Sequence, residues 1–266
     1  MIFSVIGIGN MGQALVSGFL SKGILQAEDI RVCDSDENKV ILFSQKTGCS
    51  SYTKASEAVL DADYILLCVK PQVVDKTLQD LLPSLSPNAV IISIAASVKI
   101  ARLRNLLHKS TPIVRVMPNT PALVGAAVNA VCFDGVNEVN MSFVLSLLET
   151  CGLVVPCDEK MLDAIGCVSG TGPAYVMLFI ESLADAAVKL GIPRTTALEI
   201  AAMTVYGSGK LAVETKTHPA ILKDQVCSPG GTTIEGVLAL EKFGLRAAVE
   251  AAVIAADDKT RLLAGG

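Results

Sequence analysis

The stretch that decides the fold is "VIGIGNMG", Val5 to Gly12, which ends a short apolar run at the start of the chain. Gly7, Gly9 and Gly12 have the G-x-G-x-x-G spacing of a dinucleotide-binding turn. In such a turn the first glycine permits a tight bend, the second lets the backbone approach a pyrophosphate, and the third lets the helix pack close to the strand. The pattern predicts a strand, this turn and a helix over residues 10–22.

Short β-branched runs alternate with amphipathic stretches as far as about residue 156. The runs are "IFSVI", "IRVCD", "YILLCVK", "AVIISIA", "TPIVRVM" and "GLVVP", and this alternation is typical of βαβ units around a parallel sheet. Beyond "CDEKMLDAIG" the strand signals stop, and Gly or Pro clusters separate Ala- and Leu-rich stretches. The sequence therefore predicts an α/β fold: a Rossmann-type doubly wound parallel sheet over residues 1–157, followed by an all-helical domain over residues 158–266.

Composition excludes several classes of function. The net charge is −4 without a basic stripe, so a nucleic-acid partner is not expected. No window reaches about 18 uncharged apolar residues, so no membrane span is expected. The amino terminus enters a strand without a signal-peptide pattern, which favours a cytoplasmic protein. Eight cysteines without a C-x-x-C pair, and only two histidines, predict buried thiols and no metal site.

The carboxyl ends of the predicted strands carry the cofactor candidates. The second strand ends at "RVCDSDENK", so Asp34 can accept hydrogen bonds from the adenosine ribose and repel a 2′-phosphate. Alternatively, Asp34 or Ser35 caps the following helix, and the two roles are compatible. Ligands lie beyond the carboxyl ends of parallel strands. The predicted cofactor residues besides Asp34 are Ile6, Gly7, Ile8, Gly9, Asn10, Met11, Gly12, Val69, Lys70, Pro71, Ala95, Ala96 and Asn119, with Thr120 on the same border.

Small residues recur at helical spacing in the second half. They are Ala184, Ala187 and Val188, then Ala197, Ala201 and Val205, then Ala248, Ala251, Ala252 and Ala255. So many small apolar positions over about a hundred residues favour an intertwined subunit interface. An ordinary helical bundle is the alternative, because periodicity reports burial and not what covers the face.

A second candidate site is "CSPGGTTIEG", Cys227 to Gly236. Thr232 and Glu235 have the spacing of a capping box, with two glycines forming the turn before the helix. On its own this is only a well-made helix start. A similar design occurs in "CVSGTGPAYV", where two glycines precede Pro173 at a predicted first helical position. Two such starts would offer backbone N–H groups and positive dipole ends to a small carboxylate.

Taken together, "IGIGNMG", "VKPQ", "RVMPNTP", "SGTGPAY" and "HPAILKDQVCSPGGTTIEG" closely resemble the pyrroline-5-carboxylate reductases, which perform the last step of proline synthesis. The resemblance covers the whole chain, and its last motif is highly specific. It implies a Rossmann domain followed by a helical dimerisation domain, with dimers often assembled into a decamer. Many members carry polar or basic residues at the end of the second strand, whereas this chain has Asp34, which favours NADH over NADPH.

The resemblance also implies the substrate site. The residues carried over are Glu159, Gln225, Gly231, Thr232 and Thr233. Backbone N–H groups of the turn would hold the substrate carboxylate, and the Thr233 hydroxyl, as the catalytic contact, would meet the ring nitrogen. A protonated cyclic imine accepts hydride without a strong general acid, so neither His108 nor His218 is needed. His218 is predicted to be a surface or capping residue.

Other functions fit part of the pattern. A reductase of a related cyclic imine would share both sites. The 3-hydroxy acid dehydrogenases resemble one another in placing a Lys after a glycine-rich "SG" loop as proton acceptor, but here the first Lys of that helix is Lys189, several turns too late. A nucleotide-sensing binding protein would keep the glycine turn without needing "SPGGTTIEG".

Overall fold

The computed structural model describes residues 1–264 and divides into two compact units. Unit 1 comprises Met1–Gly170 together with the C-terminal segment from Asp257, and unit 2 comprises Thr171–Ala256. The sequence boundary after residue 157 marks the change from strands to helices, and the first helix beyond it lies in unit 1. Residues 158–266 as a separate domain therefore stay a prediction.

Unit 1 is built on one sheet, which has eight strands within the described residues. The strands are β1 Phe3–Ile6, β2 Ile30–Cys33, β3 Ser50–Tyr52, β4 Tyr64–Leu67, β5 Val90–Ser93, β6 Ile113–Met117, β7 Ala127–Asp134 and β8 Gly152–Pro156. Their order is β3-β2-β1-β4-β5-β6-β7-β8, and every neighbouring pair is parallel except β6 with β7. The strand order reverses between β1 and β4, which is where open α/β sheets bind ligands. The predicted Rossmann-type sheet is confirmed.

Alternate residues of the central strands enter two separate cores. Phe3 and Val5 of β1 pack in one hydrophobic cluster, whereas Ile6 packs in the other. In the same way Leu66 and Ile65 of β4 belong to opposite clusters. Successive side chains of a strand point to opposite faces, so a sheet covered by helices on both faces needs continuous apolar runs. This explains why the runs that predicted the strands are mostly hydrophobic and do not alternate with polar residues.

The sequence analysis did not predict two of the strands, β3 and β7. β3 is short and begins with two serines, so it lacks an apolar run. β7 has the sequence "AVNAVCFD", in which alanine and asparagine are poor strand formers. It forms because it pairs with both β6 and β8, and Asn129 is buried in it with its Nδ2 donating to the Leu148 carbonyl at 3.2 Å. Tertiary pairing overrode a weak local preference.

Helices cover both faces of the sheet and make up the second half. They are α1 Asn10–Ser21, α2 Glu37–Thr47, α3 Ala55–Ala58, α4 Val74–Leu81, α5 Ile100–Leu106, α6 Glu138–Glu149, α7 Glu159–Ser169, α8 Gly172–Lys189, α9 Arg194–Thr215, α10 Pro219–Val226, α11 Thr232–Lys242 and α12 Leu245–Ala264. The prediction that the second half is helical is confirmed. α1 follows the glycine turn and buries one apolar face that includes Leu15, Val16 and Phe19.

In unit 2 the small residues divide between two uses. Ala184 of α8 is buried against Ala197 and Ala201 of α9, so these positions pack the two helices of one chain together. The alanines of α12 at 248, 251 and 255 are exposed instead. Large apolar side chains are exposed as well: Val176, Met177, Leu178, Leu198, Ile200, Met203, Tyr206, Leu211, Leu238, Leu240, Val249 and Ile254. A helix with apolar residues all round requires a covering partner.

One stretch meets the length and composition of a membrane span. Within the described residues, Glu159–Lys189, covering α7 and α8, is the helical stretch that does so. The sequence analysis considered windows of about 18 uncharged apolar residues, whereas this criterion admits charged residues within the window, so the absence of a membrane span stays a prediction. Length and composition do not distinguish a lipid-facing helix from one covered by a second subunit.

No disulfide joins the cysteines in the part of the chain that the structure describes. Five of the eight are buried and three are partly buried. Burial, reinforced by the negative charge of Asp34, raises the pKa of Cys33 to about 11. Burial also raises the pKa of Cys132 to about 11. Such thiols stay protonated and unreactive near neutral pH, in agreement with their prediction as small hydrophobic residues.

Candidate active site

The glycine turn has the geometry that its spacing predicts. Gly7 has φ +102°, a conformation that favours glycine, and its N–H donates to the Cys33 carbonyl at 2.7 Å. A Cβ at Gly7 would lie 2.7 Å from the Cys68 carbonyl oxygen, so the turn touches the end of β4. A Cβ at Gly12 would overlap the Gly7 carbonyl oxygen. Both glycines are therefore required for packing before any ligand binds.

Gly9 differs from the other two glycines. A Cβ built on it has no heavy atom within 4 Å among the described residues, so space is open beside this part of the turn. Gly9 is also the N-cap of α1, and no side chain of the described chain caps that helix. The first N–H groups of a helix lack intrahelical partners and carry a partial positive charge. An uncapped start beside open space is suited to the pyrophosphate of a dinucleotide.

Asp34 joins the end of β2 to the glycine turn. Its Oδ2 accepts the Ile8 N–H at 2.7 Å, and its Oδ1 accepts the Asp36 N–H at 3.0 Å. The alternative that Asp34 or Ser35 caps the following helix is wrong. Asp36 is the N-cap of α2 and accepts the Lys39 N–H, because three residues separate the end of β2 at Cys33 from the first helical residue, Glu37. The Asp34 carboxylate is thereby fixed at the mouth of the turn.

The ends of β4 and β5 complete the edge of the sheet. The Ile94 N–H donates to the Leu67 carbonyl at 3.2 Å, which holds the two strand ends together. Lys70 is exposed there, while the predicted cofactor residues Val69 and Pro71 are partly buried. Ala95 is buried and Ala96 is exposed. The small side chain of Ala96 leaves its surface open to a flat ring.

Asn119 follows the end of β6, and both the nitrogen and the oxygen of its carboxamide form hydrogen bonds. Its Nδ2 donates to the Ser169 carbonyl and its Oδ1 accepts the Val128 N–H, each at 2.9 Å. The side chain is only 7% exposed. Its role within unit 1 is to connect β6, β7 and the end of α7. Its place among the cofactor residues stays a prediction.

A buried arginine and two carboxylates form an ion cluster beside this edge, which the sequence analysis did not identify. Arg115 of β6 is 1% exposed and contacts Glu159 Oε1 at 2.9 Å and Asp163 Oδ1 at 2.6 Å. The same Glu159 oxygen accepts the Ile100 N–H at 2.7 Å. Apolar neighbours in "TPIVRVM" suggested only a buried strand. Two carboxylates four residues apart on a predicted helix, Glu159 and Asp163, together with an arginine inside an apolar strand, form the pattern that could have indicated this cluster.

The far turn presents an open helix start in unit 2. Gly230 has φ +66°, and the Gly231 N–H donates to the Ser228 carbonyl at 3.0 Å. Gly231 is the N-cap of α11, and no side chain in the described residues caps the helix. The predicted capping box is therefore wrong. The N-cap position belongs to Gly231, and Thr232 is already the first helical residue of α11. Thr232 and Thr233 are exposed, with their hydroxyls free of a capping role.

The glycines of "SGTGP" lie in a different backbone setting from those of the far turn. Gly170 is right-handed helical and its N–H donates to the Gly166 carbonyl at 2.9 Å, so it continues the last turn of α7. Pro173 is the second helical residue of α8, not the first. A Cβ at Gly166 would lie 2.9 Å from Met117 Cε. Gly166 and Gly170 lie close to Met117 of β6, whereas a Cβ at Gly172 would meet no heavy atom within 4 Å among the described residues. The second free helix start stays a prediction.

The remaining candidates occupy ordinary helical positions. His218 is the N-cap of α10, and its Nδ1 accepts the Ala220 N–H at 3.2 Å, which confirms the capping prediction. Gln225 lies exposed on the same helix, ahead of the glycine turn. Lys189 is the last residue of α8. The helix that would carry a dehydrogenase lysine therefore holds none in its first turns.

Comparison with known proteins resolves the choice among families. Residues 2–97 match the family model described as NADP oxidoreductase, coenzyme F420-dependent, and residues 159–263 match that for pyrroline-5-carboxylate reductase dimerisation. A pyrroline-5-carboxylate reductase of Escherichia coli is 40% identical, over 97% of this chain and 96% of its own length. The chain belongs to the pyrroline-5-carboxylate reductase family.

Solved structures of this reductase family share the fold throughout. A pyrroline-5-carboxylate reductase of Coxiella burnetii superposes with a TM-score of 0.91 at 32% identity, covering 98% of this chain and 97% of that one. A Plasmodium falciparum pyrroline carboxylate reductase with NADP bound gives 0.89 at 32% identity, covering 99% and 98%. The dimerisation match accounts for the exposed apolar helices of unit 2, because in a reductase of this family that region forms a homo-oligomer.

Proposed function

We propose that the chain reduces 1-pyrroline-5-carboxylate to L-proline, the last step of proline synthesis, with a hydride from NADH or NADPH. The observation that carries the proposal is the match to reductases of this substrate over nearly the whole chain. The geometry of unit 1 supports it, because the open Gly9 position and the uncapped α1 start fit a dinucleotide. The far turn in unit 2 supports it independently with a second uncapped helix start.

The chemistry needs alignment more than acid–base catalysis. The cofactor, when bound, supplies the hydride from its nicotinamide C4. The N–H groups at the start of α11, from Gly231 to Thr233, would bind the substrate carboxylate, and the Thr233 hydroxyl would orient the ring nitrogen. Ala95 and Ala96 would seat the nicotinamide ring. The imine carbon gains the hydride and the nitrogen keeps the former π pair and its proton, so the residues act by holding two reactants together.

The test is a direct assay of the purified chain. Oxidation of NADH and of NADPH is followed separately by absorbance, with and without pyrroline-5-carboxylate. Imine-dependent oxidation is the expected result. A protein that binds NADH but oxidises neither cofactor when the imine is added would contradict the proposal.

Thr233→Ala is expected to lower kcat/KM for the imine by about tenfold or more, or at least about 1.4 kcal/mol of transition-state stabilisation. The fold and the cofactor affinity are expected to stay unchanged, because Thr233 is exposed and caps nothing. Thr233→Ser keeps the hydroxyl and is the matched control. Thr232→Ala tests the neighbouring hydroxyl. Wild-type kcat/KM in Thr233→Ala would leave the backbone N–H groups as the sole contribution of the turn.

Asp34 is proposed to favour NADH, because a carboxylate facing a 2′-phosphate is costly in a partly desolvated site. Asp34→Ser is expected to gain activity with NADPH relative to NADH. Asp34→Asn is a sharper variant, since its amide oxygen can still accept the Ile8 N–H while the charge is gone. Steady-state kcat/KM with each cofactor measures the change. The proposal would be contradicted if the wild type preferred NADPH and both variants had the wild-type ratio of kcat/KM for NADPH to that for NADH. Asp34 would then only hydrogen-bond the backbone of the turn.

The helical region is proposed to form a homodimer, and five dimers to form a decamer, of a cytoplasmic enzyme acting on a small molecule. The support is the dimerisation match and the exposed apolar side chains of α8 and α9. Light scattering on the eluting protein distinguishes the mass of two chains from that of ten. Cell fractionation tests the compartment, and recovery in the membrane pellet would contradict it.

A further inference from the structure

Arg115 is a fully buried cation that the proposed chemistry does not use. It projects from β6 and meets the carboxylates of Glu159 and Asp163, which lie four residues apart on α7 and so share one face of that helix. The guanidinium is removed from water, whereas the side chains of Glu159 and Asp163 stay 29% and 26% exposed. Burying a cation is expensive, and a buried ion pair is often no more stable than apolar residues of the same size. Stability alone is therefore a weak explanation for this cluster.

Glu159 connects the cluster to the neighbouring helix. Its Oε1 accepts from Arg115 Nη1 and from the Ile100 N–H. Ile100 is the first residue of α5, and the N-cap Lys99 makes no capping hydrogen bond of its own among the described residues. A carboxylate 59 positions away in the sequence thus performs the work of an N-cap. Arg115 fixes that carboxylate in place by holding the same oxygen.

The segment that this cap secures runs from Ala95 to Lys99, between β5 and α5. Its start is held by the Ala95 N–H, which donates to Ser93 Oγ at 3.3 Å. Ser97 has φ +62°, an uncommon conformation for a residue other than glycine. A strained short connection keeps its shape only when both ends are fixed. The bond from Ile100 to Glu159 fixes the second end.

We propose that Arg115 is a positioning residue for the nicotinamide end of the cofactor site, acting through Glu159 on the start of α5 and thereby on Ala95 and Ala96. The inference rests on the proposed function, which seats the nicotinamide ring on these alanines. Two separate nitrogens of the guanidinium hold two carboxylates. A lysine ammonium is a single point charge and cannot reproduce that fork.

The other end of α5 provides a matched control. Arg104 Nη1 donates to the carbonyls of Lys109 at 3.0 Å and Thr111 at 2.6 Å, and its Nη2 pairs with Asp134. This arginine holds the segment that follows the same helix and makes none of these contacts with the Ala95 segment. Arg104→Lys is expected to lower the thermal stability without a specific effect on the nicotinamide.

The experiment compares NADH with ADP-ribose, which lacks the nicotinamide, by calorimetric titration of the intact protein without imine. In the wild type NADH is expected to bind more tightly. In Arg115→Lys the Kd for ADP-ribose is expected to stay within about twofold, while that for NADH rises at least about fivefold. In Arg104→Lys the ratio of the two Kd values is expected to stay at the wild-type value. An unchanged ratio in Arg115→Lys would overturn the proposal.

Variants of Glu159 keep the test decisive if Arg115→Lys folds poorly. Glu159→Ala removes the cap of α5 and is expected to reproduce the selective loss of NADH affinity. Glu159→Gln keeps an oxygen for the Ile100 N–H and is expected to recover most of it. Equal losses for NADH and ADP-ribose in Glu159→Ala would overturn the proposal. The titrations contain no imine, so they do not depend on the reductase activity. A wild type that cannot reduce the imine would refute the proposed function, and the cofactor titrations would still test the role of Arg115.

Discussion

A Gly9→Ala protein is expected to fold as stably as the wild type and to bind NADH about a hundredfold more weakly, a loss of about 2.7 kcal/mol. The backbone of Gly9 has φ −74°, which alanine adopts without strain. The added methyl group meets no heavy atom within 4 Å among the described residues, so the unliganded fold has room for it. The same methyl group would occupy the space through which a pyrophosphate approaches the start of α1.

Gly12→Ala is the contrasting variant from the same turn. Its Cβ would overlap the Gly7 carbonyl oxygen, which is backbone and cannot move aside cheaply. It is expected to lower the free energy of unfolding by about 1–3 kcal/mol, as overpacking does. Denaturant unfolding and NADH titration of both variants separate the two effects. Wild-type NADH affinity in Gly9→Ala would show that the pyrophosphate does not approach the turn here.

The second large effect is expected at the subunit interface. Met177 of α8 and Met203 of α9 are 62% and 65% exposed in the single chain, and both lie within the dimerisation match. A glutamate at either position would bury an unpaired charge when a second subunit covers it, which is unfavourable by several kcal/mol. Met203→Glu is expected to raise the dimer Kd at least about a hundredfold, and the double variant with Met177→Glu more.

Leu42→Glu is the control for that prediction. Leu42 lies on α2 of unit 1 and is 67% exposed, so it matches the two methionines in exposure but lies outside the dimerisation match. Sedimentation velocity over a range of concentrations is expected to show wild-type association for Leu42→Glu. A Met203→Glu protein that associates as tightly as the wild type would place the interface on another face of unit 2.

Local sequence patterns predicted much of this fold. The spacing of Gly7, Gly9 and Gly12 predicted the turn. Gly7 and Gly12 each meet a steric requirement nearby, at the adjacent strand end and within the turn itself, while Gly9 leaves the space beside it open. Apolar runs predicted six of the strands, since a strand buried on both faces needs no polar alternation. The loss of those runs after residue 157 predicted the helical half. The prediction of Asp34 at the mouth of the turn depended on the same strand-end rule.

Helix caps were the first features that sequence reasoning misplaced. Composition allowed Asp34 or Ser35 to cap α2 and Thr232 to cap α11, whereas Asp36 and Gly231 hold those positions. A cap depends on the residue at which the backbone enters the helix, and that point is set by the turn before it. Several suitable side chains in a row therefore leave the choice open until the chain path is known.

Only the tertiary structure decided which partners the buried polar groups have. Arg115 reaches Glu159 across 44 positions of sequence, and Glu159 caps α5 across 59. The prediction that Glu159 lines the substrate site came from family resemblance and could not reveal this connection. Hydrophobic periodicity encodes whether a position is buried, because burial repeats with the period of the helix or strand. It carries no information about which distant donor meets which acceptor, because the packing of complete elements brings those atoms together.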